Sequence, residues 1–250
     1  MHIPPYNAEL RPAVLREFIN ENPLGILTTA IRTKSFPLLQ SSHIPWLIDH
    51  HSSDDSELGT LRGHIAKQNP QGQAIIQDLT NRGEQHLEDD VLILFQGPVQ
   101  HYVTPKFYTA TKPATGKVVP TWNYEAGQVY GSAKFFFDSK AEETEDFLKS
   151  QLQDLSMHAE RSVMGHESPW EVADAPERYI GHLKKNIIGV EVKITSMAGR
   201  FKMSQEKPKG DRDGVINGFL NLGSPAGSEL ADKISMRAAE YDAKRVNKGE

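Results

Sequence analysis

Four polar clusters carry residue types that do chemistry. "SSHIP", Ser41 to Pro45, sets two hydroxyls and the His43 imidazole in a strand-like run. Such groups cost burial energy unless they are paired or hold something. An edge strand with satisfied polar groups accounts for them equally well. "GHIAKQNPQ", Gly63 to Gln71, passes from strand to helix. A helix start favours anions. His64, Lys67, Asn69 and Gln71 could line one ligand there, and Lys67 suits a phosphate as a point charge. The same spacing also fits an ordinary N-cap region with an exposed lysine. In "VPTWNY", Trp122 and Tyr124 share one strand face, and Thr121 and Asn123 share the other. A hydroxyl beside an amide fits a polar ligand edge or a paired sheet face, while the rings fit a core. In "FKMSQEKPKGDR", Lys202, Ser204 and Gln205 cluster after a late strand, where a solvated turn is the alternative.

Other chemistries find little footing. His50-His51 lies near Asp54 and Asp55 in a polar loop, and "HAE", His158 to Glu160, has no third partner. No metal site is expected from either. No dinucleotide fingerprint, phosphate-binding P-loop or serine-nucleophile elbow occurs.

These clusters need strands to hold them. "LGILTTAI" suits a buried strand, and "FPLLQSSHIPWLID" follows with two prolines that limit its ladder. "HHSSDDSE", His50 to Glu57, reads as a polar turn. "LGTLRGHIA" reads as a strand running into a short helix ended near Pro70. "DVLILFQGPVQHYV" reads as two strands about a Gly-Pro break, "KPATGK" as a loop, and "VVPTWNYEAGQVYGSAKFFF" as two strand pieces. Ser139 and Glu142 have capping-box spacing before the stripe Phe147, Leu148, Gln151, Leu152, Leu155. "PERYIGHLKK" is helical from Pro176. In "IIGVEVKIT" the residues Ile188, Val190, Val192 and Ile194 alternate with Glu191, Lys193 and Thr195, which predicts one buried face. Helices follow over "DRDGVINGFL" and "SELADKISMRAAEYDAK", the latter starting at Ser224-Pro225, with "RVNKGE" frayed. The late strand must pair with the N-terminal sheet. The pattern predicts an α+β fold, compatible with a barrel, in one domain over 1–223 with a C-terminal helix and tail over 224–250.

The chain has 250 residues and no cysteine, which excludes disulfides, thiolate metal sites and cysteine nucleophiles. No signal segment or apolar membrane span is visible, so a soluble cytoplasmic protein is expected. The formal net charge is −5. Its basic stretches, "HLKK" (His182 to Lys185) and "AKR" (Ala243 to Arg245), read as solvated helix faces. Direct DNA binding therefore has little support.

Together and in this order, the four clusters resemble one family, the PaiB-type FMN-binding proteins, or FMN-binding negative transcriptional regulators, of the flavin split-barrel group. The likeness runs from "MHIPPY" to about Leu222. His-x-Pro appears as His43-Ile44-Pro45, and Gly-His-Leu-Ala-Arg-x-Asn-Pro-Gln as "GHIAKQNPQ". Phe-x-Gly-Pro…Tyr-Val-Ser-Pro-x-x-Tyr appears as "FQGPVQHYVTPKFY", and Val-Pro-Thr-Trp-Asn-Tyr is matched in full. Lys-Leu-Ser-Gln-Asn appears as "KMSQE", in which Glu206 replaces the Asn. The opening Met-Tyr-x-Pro has His2 for Tyr.

The resemblance implies a split β-barrel with helices packed on it, FMN as cofactor, and a homodimer with FMN near its interface. Ser41, Ser42 and Lys67 would meet the phosphate. Trp122 or Pro45 would wall the ring, and Thr121, Asn123, Asn69 and Gln205 would supply polar contacts, with Gln71 and Lys202 in the matched motifs beside them. The Glu206 carboxylate would repel a phosphate unless it points away. His43 or His64 would assist proton transfer if the protein is an FMN-dependent oxidoreductase acting on a small molecule. Negative regulation of transcription and flavin storage without turnover are the other functions expected.

Overall fold

The computed structural model describes residues 1–50 and 56–248. The centre of the turn expected over His50 to Glu57, with His51, Asp54 and Asp55, lies outside the described residues. The strands are β1 (Ala8–Glu9), β2 (Leu24–Ala30), β3 (Leu39–Pro45), β4 (Leu47–Asp49), β5 (Thr60–Ala66), β6 (Val91–Gln96), β7 (His101–Val103), β8 (Thr121–Phe136) and β9 (Ile187–Lys202). The α-helices are α1 (Pro12–Glu21), α2 (Pro70–Arg82), α3 (Thr111–Thr115), α4 (Glu142–His158), α5 (Glu177–Lys184), α6 (Lys209–Leu220) and α7 (Pro225–Lys248). The fold is α+β, as expected.

The sheet runs β3-β2-β6-β8-β9-β5-β4, with β1 on β9 and β7 on β8. The β2–β3, β2–β6, β4–β5 and β5–β9 ladders are all antiparallel. The two ends of this path, β3 and β4, are consecutive in the chain with only Trp46 between them. The sheet therefore curls until its ends meet, a split barrel. Gly63 on β5 shows how tightly: a Cβ there would stand 3.0 Å from Ile44 and 3.1 Å from Trp46. Leu27, Leu61, Ile93, Val190 and Val192 fill the interior. The alternation of β9 holds as read, with Ile188, Val190, Val192 and Ile194 buried.

The chain forms two compact units, each built from separate stretches: Met1–Leu10, Gln96–Gly127 and Ala198–Glu250 in the first, Arg11–Phe95 and Gln128–Met197 in the second. In the first unit, Leu230, Ala231 and Ile234 of α7 join Val103, Val215 and Phe219 in one core. Ser224 Oγ accepts from Gly227 N and starts α7 as expected.

Several local readings change. Pro70 begins a helix instead of ending one: it sits at the first turn of α2, where a missing N–H costs nothing, and Asn69 caps it. "KPATGK" carries most of the one-turn α3, which starts at Thr111 and is closed by left-handed Gly116. The two strand pieces expected after Val118 are the single strand β8; Gly127 and Gly131 stay extended within it. The Ser139 capping box is not formed. Asp138 Oδ1 accepts from Lys140 N instead, and α4 starts after Ala141 with three glutamates in its first turn. α7 continues as helix through Lys248 where fraying was expected.

Candidate functional site

The second unit gathers one group of the expected site residues. The turn from β5 into α2 carries Lys67 and Asn69. Asn69 Oδ1 accepts from Gln71 N at 2.8 Å, and its Nδ2 donates to Ser42 Oγ at 2.9 Å. The N-terminus of α2 is thus tied to β3. Gln71 reaches further in: its Nε2 donates to Leu27 O, Thr29 Oγ1 and Gln40 O. That amide stitches β2 to β3, and Gln71 is buried. Ser42 shares the inner face of its strand, because it pairs with the buried Leu27. Ser41 and His43 alternate to the exposed outer face, where Ser41 Oγ lies 2.9 Å from Thr28 Oγ1. Pro45 ends β3. Among the described residues, the half-buried Lys67 ammonium has no hydrogen-bond or ion-pair partner.

His64 stands apart from this group within the same unit. Gly63 and Ile65 point into the barrel, so His64 points out of it. There it lines a cavity against α4 and α5, and its buried Nδ1 has no partner. Burial holds its imidazole below the ordinary histidine value.

The first unit gathers the remaining residues. Lys202 Nζ donates to Thr121 Oγ1 and, at 3.0 Å, to Trp122 O. Burial lowers its ammonium pKa, partly offset by the Glu206 carboxylate. Asn123 is buried and accepts from Ser204 Oγ. Gln205 is also buried; its Oε1 accepts from Met203 N, and its Nε2 donates to Phe201 O and Tyr6 O. Trp122 is exposed and donates from Nε1 to Gln100 Oε1 at 2.8 Å. Glu206 keeps one buried carboxylate oxygen without a partner, and Lys207 Nζ is 3.9 Å from the other.

The donor set of the second unit fits a flavin phosphate. It offers a cation with no partner among the described residues, a hydroxyl–amide pair and the N-terminus of a thirteen-residue helix. Sequence reasoning missed the partners of His64. They come from α4, from α5, whose only signal was the helical run from Pro176, and from Trp170 and Val172 between them. No group of three potential metal ligands occurs among the described residues, and no helix among them is long and apolar enough to cross a membrane.

An uncharacterised protein of Emericella nidulans is 53% identical over 251 residues, spanning 98% of this chain and 100% of its own. The Bacillus subtilis protease synthase and sporulation protein PAI 2 is 26% identical over 93% of this chain and 95% of its own. Among solved structures, the FAD and heme binding protein of Mycobacterium smegmatis aligns at 8% identity with a TM-score of 0.46, over 78% of this chain and 73% of its own. The family model described as "Putative FMN-binding domain" matches residues 1–196, well over half of the chain, and the chain belongs to that FMN-binding family.

Proposed function

We propose that this protein is a flavoprotein that anchors the FMN phosphate at the β5–α2 turn and uses the flavin for redox chemistry on a small molecule. The observation that carries this reading is Lys67. Its ammonium has no partner among the described residues, two positions before the cap that holds Ser42. A lysine half-buried beside a helix N-terminus, with nothing to neutralise, is suited to an incoming phosphate. Ser42 and Asn69 would orient the phosphate. Bound FMN supplies hydride and electron transfer. His43, exposed on the same outer face as Ser41, is the side chain placed to exchange a proton with solvent.

A homodimer through the outer face of β2 and β3 accompanies this reading. Leu24 and Leu39 are 59% and 66% exposed there, beside Ser41 and His43. Indirect regulation is the second reading. It is favoured by the name of the Bacillus relative, which aligns over 95% of its length.

The test is spectroscopic. The purified protein should retain FMN and show flavin absorption, which reduced nicotinamide cofactor should bleach without air. Lys67→Ala should raise the Kd for FMN by about tenfold or more, as loss of a charge-assisted contact does. Lys117→Ala should leave it unchanged. A protein that takes up no FMN, or equal affinity in both variants, overturns the assignment. Light scattering reports the dimer.

A further inference from the structure

The N-terminal segment and α7, both in the first unit, enclose a cavity of about 270 Å3. That is just under the usual range for small-molecule sites, so it has room for a ligand of about one ring. The segment is tied down from β9 and from the turn after it. Ala8 pairs with Arg200, and Gln205 Nε2 donates to Tyr6 O at 3.1 Å. The cavity is therefore built before any ligand arrives.

Its lining offers rings and cations that a ligand can reach. Tyr6 is 47% exposed, and Tyr241 is half-buried. The Arg245 guanidinium lies 5.9 Å from the centre of the Tyr241 ring. Arg237 is spent, because it donates to Glu125 at 3.0 Å and to Glu240 at 3.1 Å. Lys244 differs. It lines the cavity, its side chain is exposed, and its ammonium has no hydrogen-bond or ion-pair partner among the described residues. An accessible ammonium beside tyrosine rings suits an anion carried on a flat ring. The Glu9 and Glu240 carboxylates line the same cavity and limit its charge. A ligand with two negative charges would meet both of them. A neutral ring would leave Lys244 unanswered.

We propose that this cavity is a binding site for a small aromatic monocarboxylate, its ring against Tyr6 and Tyr241 and its carboxylate on Lys244 Nζ. The two lining carboxylates set it apart from a site for the doubly charged flavin phosphate. This assignment does not depend on where FMN binds.

Titration calorimetry on the full chain, with FMN in excess, tests it with benzoate, benzamide and phenyl phosphate. The three share a ring and differ in charge. Benzoate should bind about fivefold or more tightly than either of the others. Lys244→Ala should lower benzoate affinity about fivefold and leave benzamide unchanged, while Lys244→Arg should keep most of it. Tyr6→Ala should weaken benzoate and benzamide alike, by about threefold or more. Lys244 is exposed, so its variants should fold, and their FMN content should match that of the unaltered protein. Absent benzoate binding, or equal affinity for benzamide or phenyl phosphate, overturns the proposal. So does benzoate binding that survives Lys244→Ala intact, which would place the anion elsewhere. Benzoate binding that depends on Lys244 in a protein that takes up no FMN would sustain this site while removing the flavin reading.

Discussion

Ser204 Oγ donates to Asn123 Oδ1 across 3.0 Å, and both residues are all but sealed from water, at 1% and 0% exposure. The neighbouring Trp122 faces the other way and is 48% exposed. Adjacent residues of one motif therefore do different work. Asn123→Leu leaves the Ser204 hydroxyl buried without its acceptor and should cost about 1–3 kcal/mol. Trp122→Ala should cost under about 1 kcal/mol, as exposed substitutions do. Urea unfolding of the two apoproteins measures this; equal midpoints would refute it.

Gln71 offers a second separation of roles. Its Nε2 serves Leu27 O, Thr29 Oγ1 and Gln40 O. Gln71→Met keeps the volume and removes all three bonds. Stability should fall by about 2–3 kcal/mol, while the affinity for FMN of the protein that remains folded should hold. Chemical denaturation paired with flavin titration decides it. A loss of affinity with normal stability would place Gln71 on the ligand instead.

Glu125 anchors the C-terminal helix. It is 2% exposed, and its carboxylate meets Lys233 Nζ at 2.8 Å and Arg237 at 3.0 Å. Glu125→Gln strands the partly buried Lys233 ammonium and leaves Arg237 with Glu240 alone, and should cost about 3 kcal/mol. The effect should persist in high salt, which reaches such pairs poorly. A chain cut after Gly223 loses Leu230 and Ile234 from the core with Phe219 and should aggregate when expressed.

His64 adds a pH dependence with a definite sign. Its folded pKa is lowered by burial, so the unfolded chain binds the proton more readily. Its stabilising contribution is full above the unfolded value of about 6.5 and is lost as pH falls through the lower folded value. Urea midpoints at about pH 7.5 and about pH 5 should therefore differ more for the native protein than for His64→Gln. Equal differences would show that other groups carry the acid response.

Strong periodicity was legible in the sequence. The alternation of β9 gave its buried face, and the family motifs brought the barrel and FMN. Long-range competition was not legible. The stretch from Val118 read as two strand pieces, but it is the single strand β8, with Gly127 and Gly131 extended in it. Ser139 had the right spacing for a cap, yet Asp138 took the turn first. Motif residues looked alike as ligands until the fold sorted them. Gln71 spends its amide on backbone and on Thr29, and Gln205 spends its own on backbone, while Lys67 has no partner among the described residues. The His64 cavity was invisible because its walls arrive from α4 and α5, far along the chain.

The pairing of Ala8 with Arg200 and of Gly63 with Val190 sets a timetable for the nascent chain. β5 waits for β9 through about half of synthesis, on the order of ten seconds at ~5–20 residues per second. For that interval its edge is an open template for any other strand. Such non-local pairing also slows the search for the native ladder once the chain is free. The late strand that closes the barrel is thus the step at which aggregation competes with folding, and variants that weaken β9 should be lost during production before any defect in the finished protein is seen.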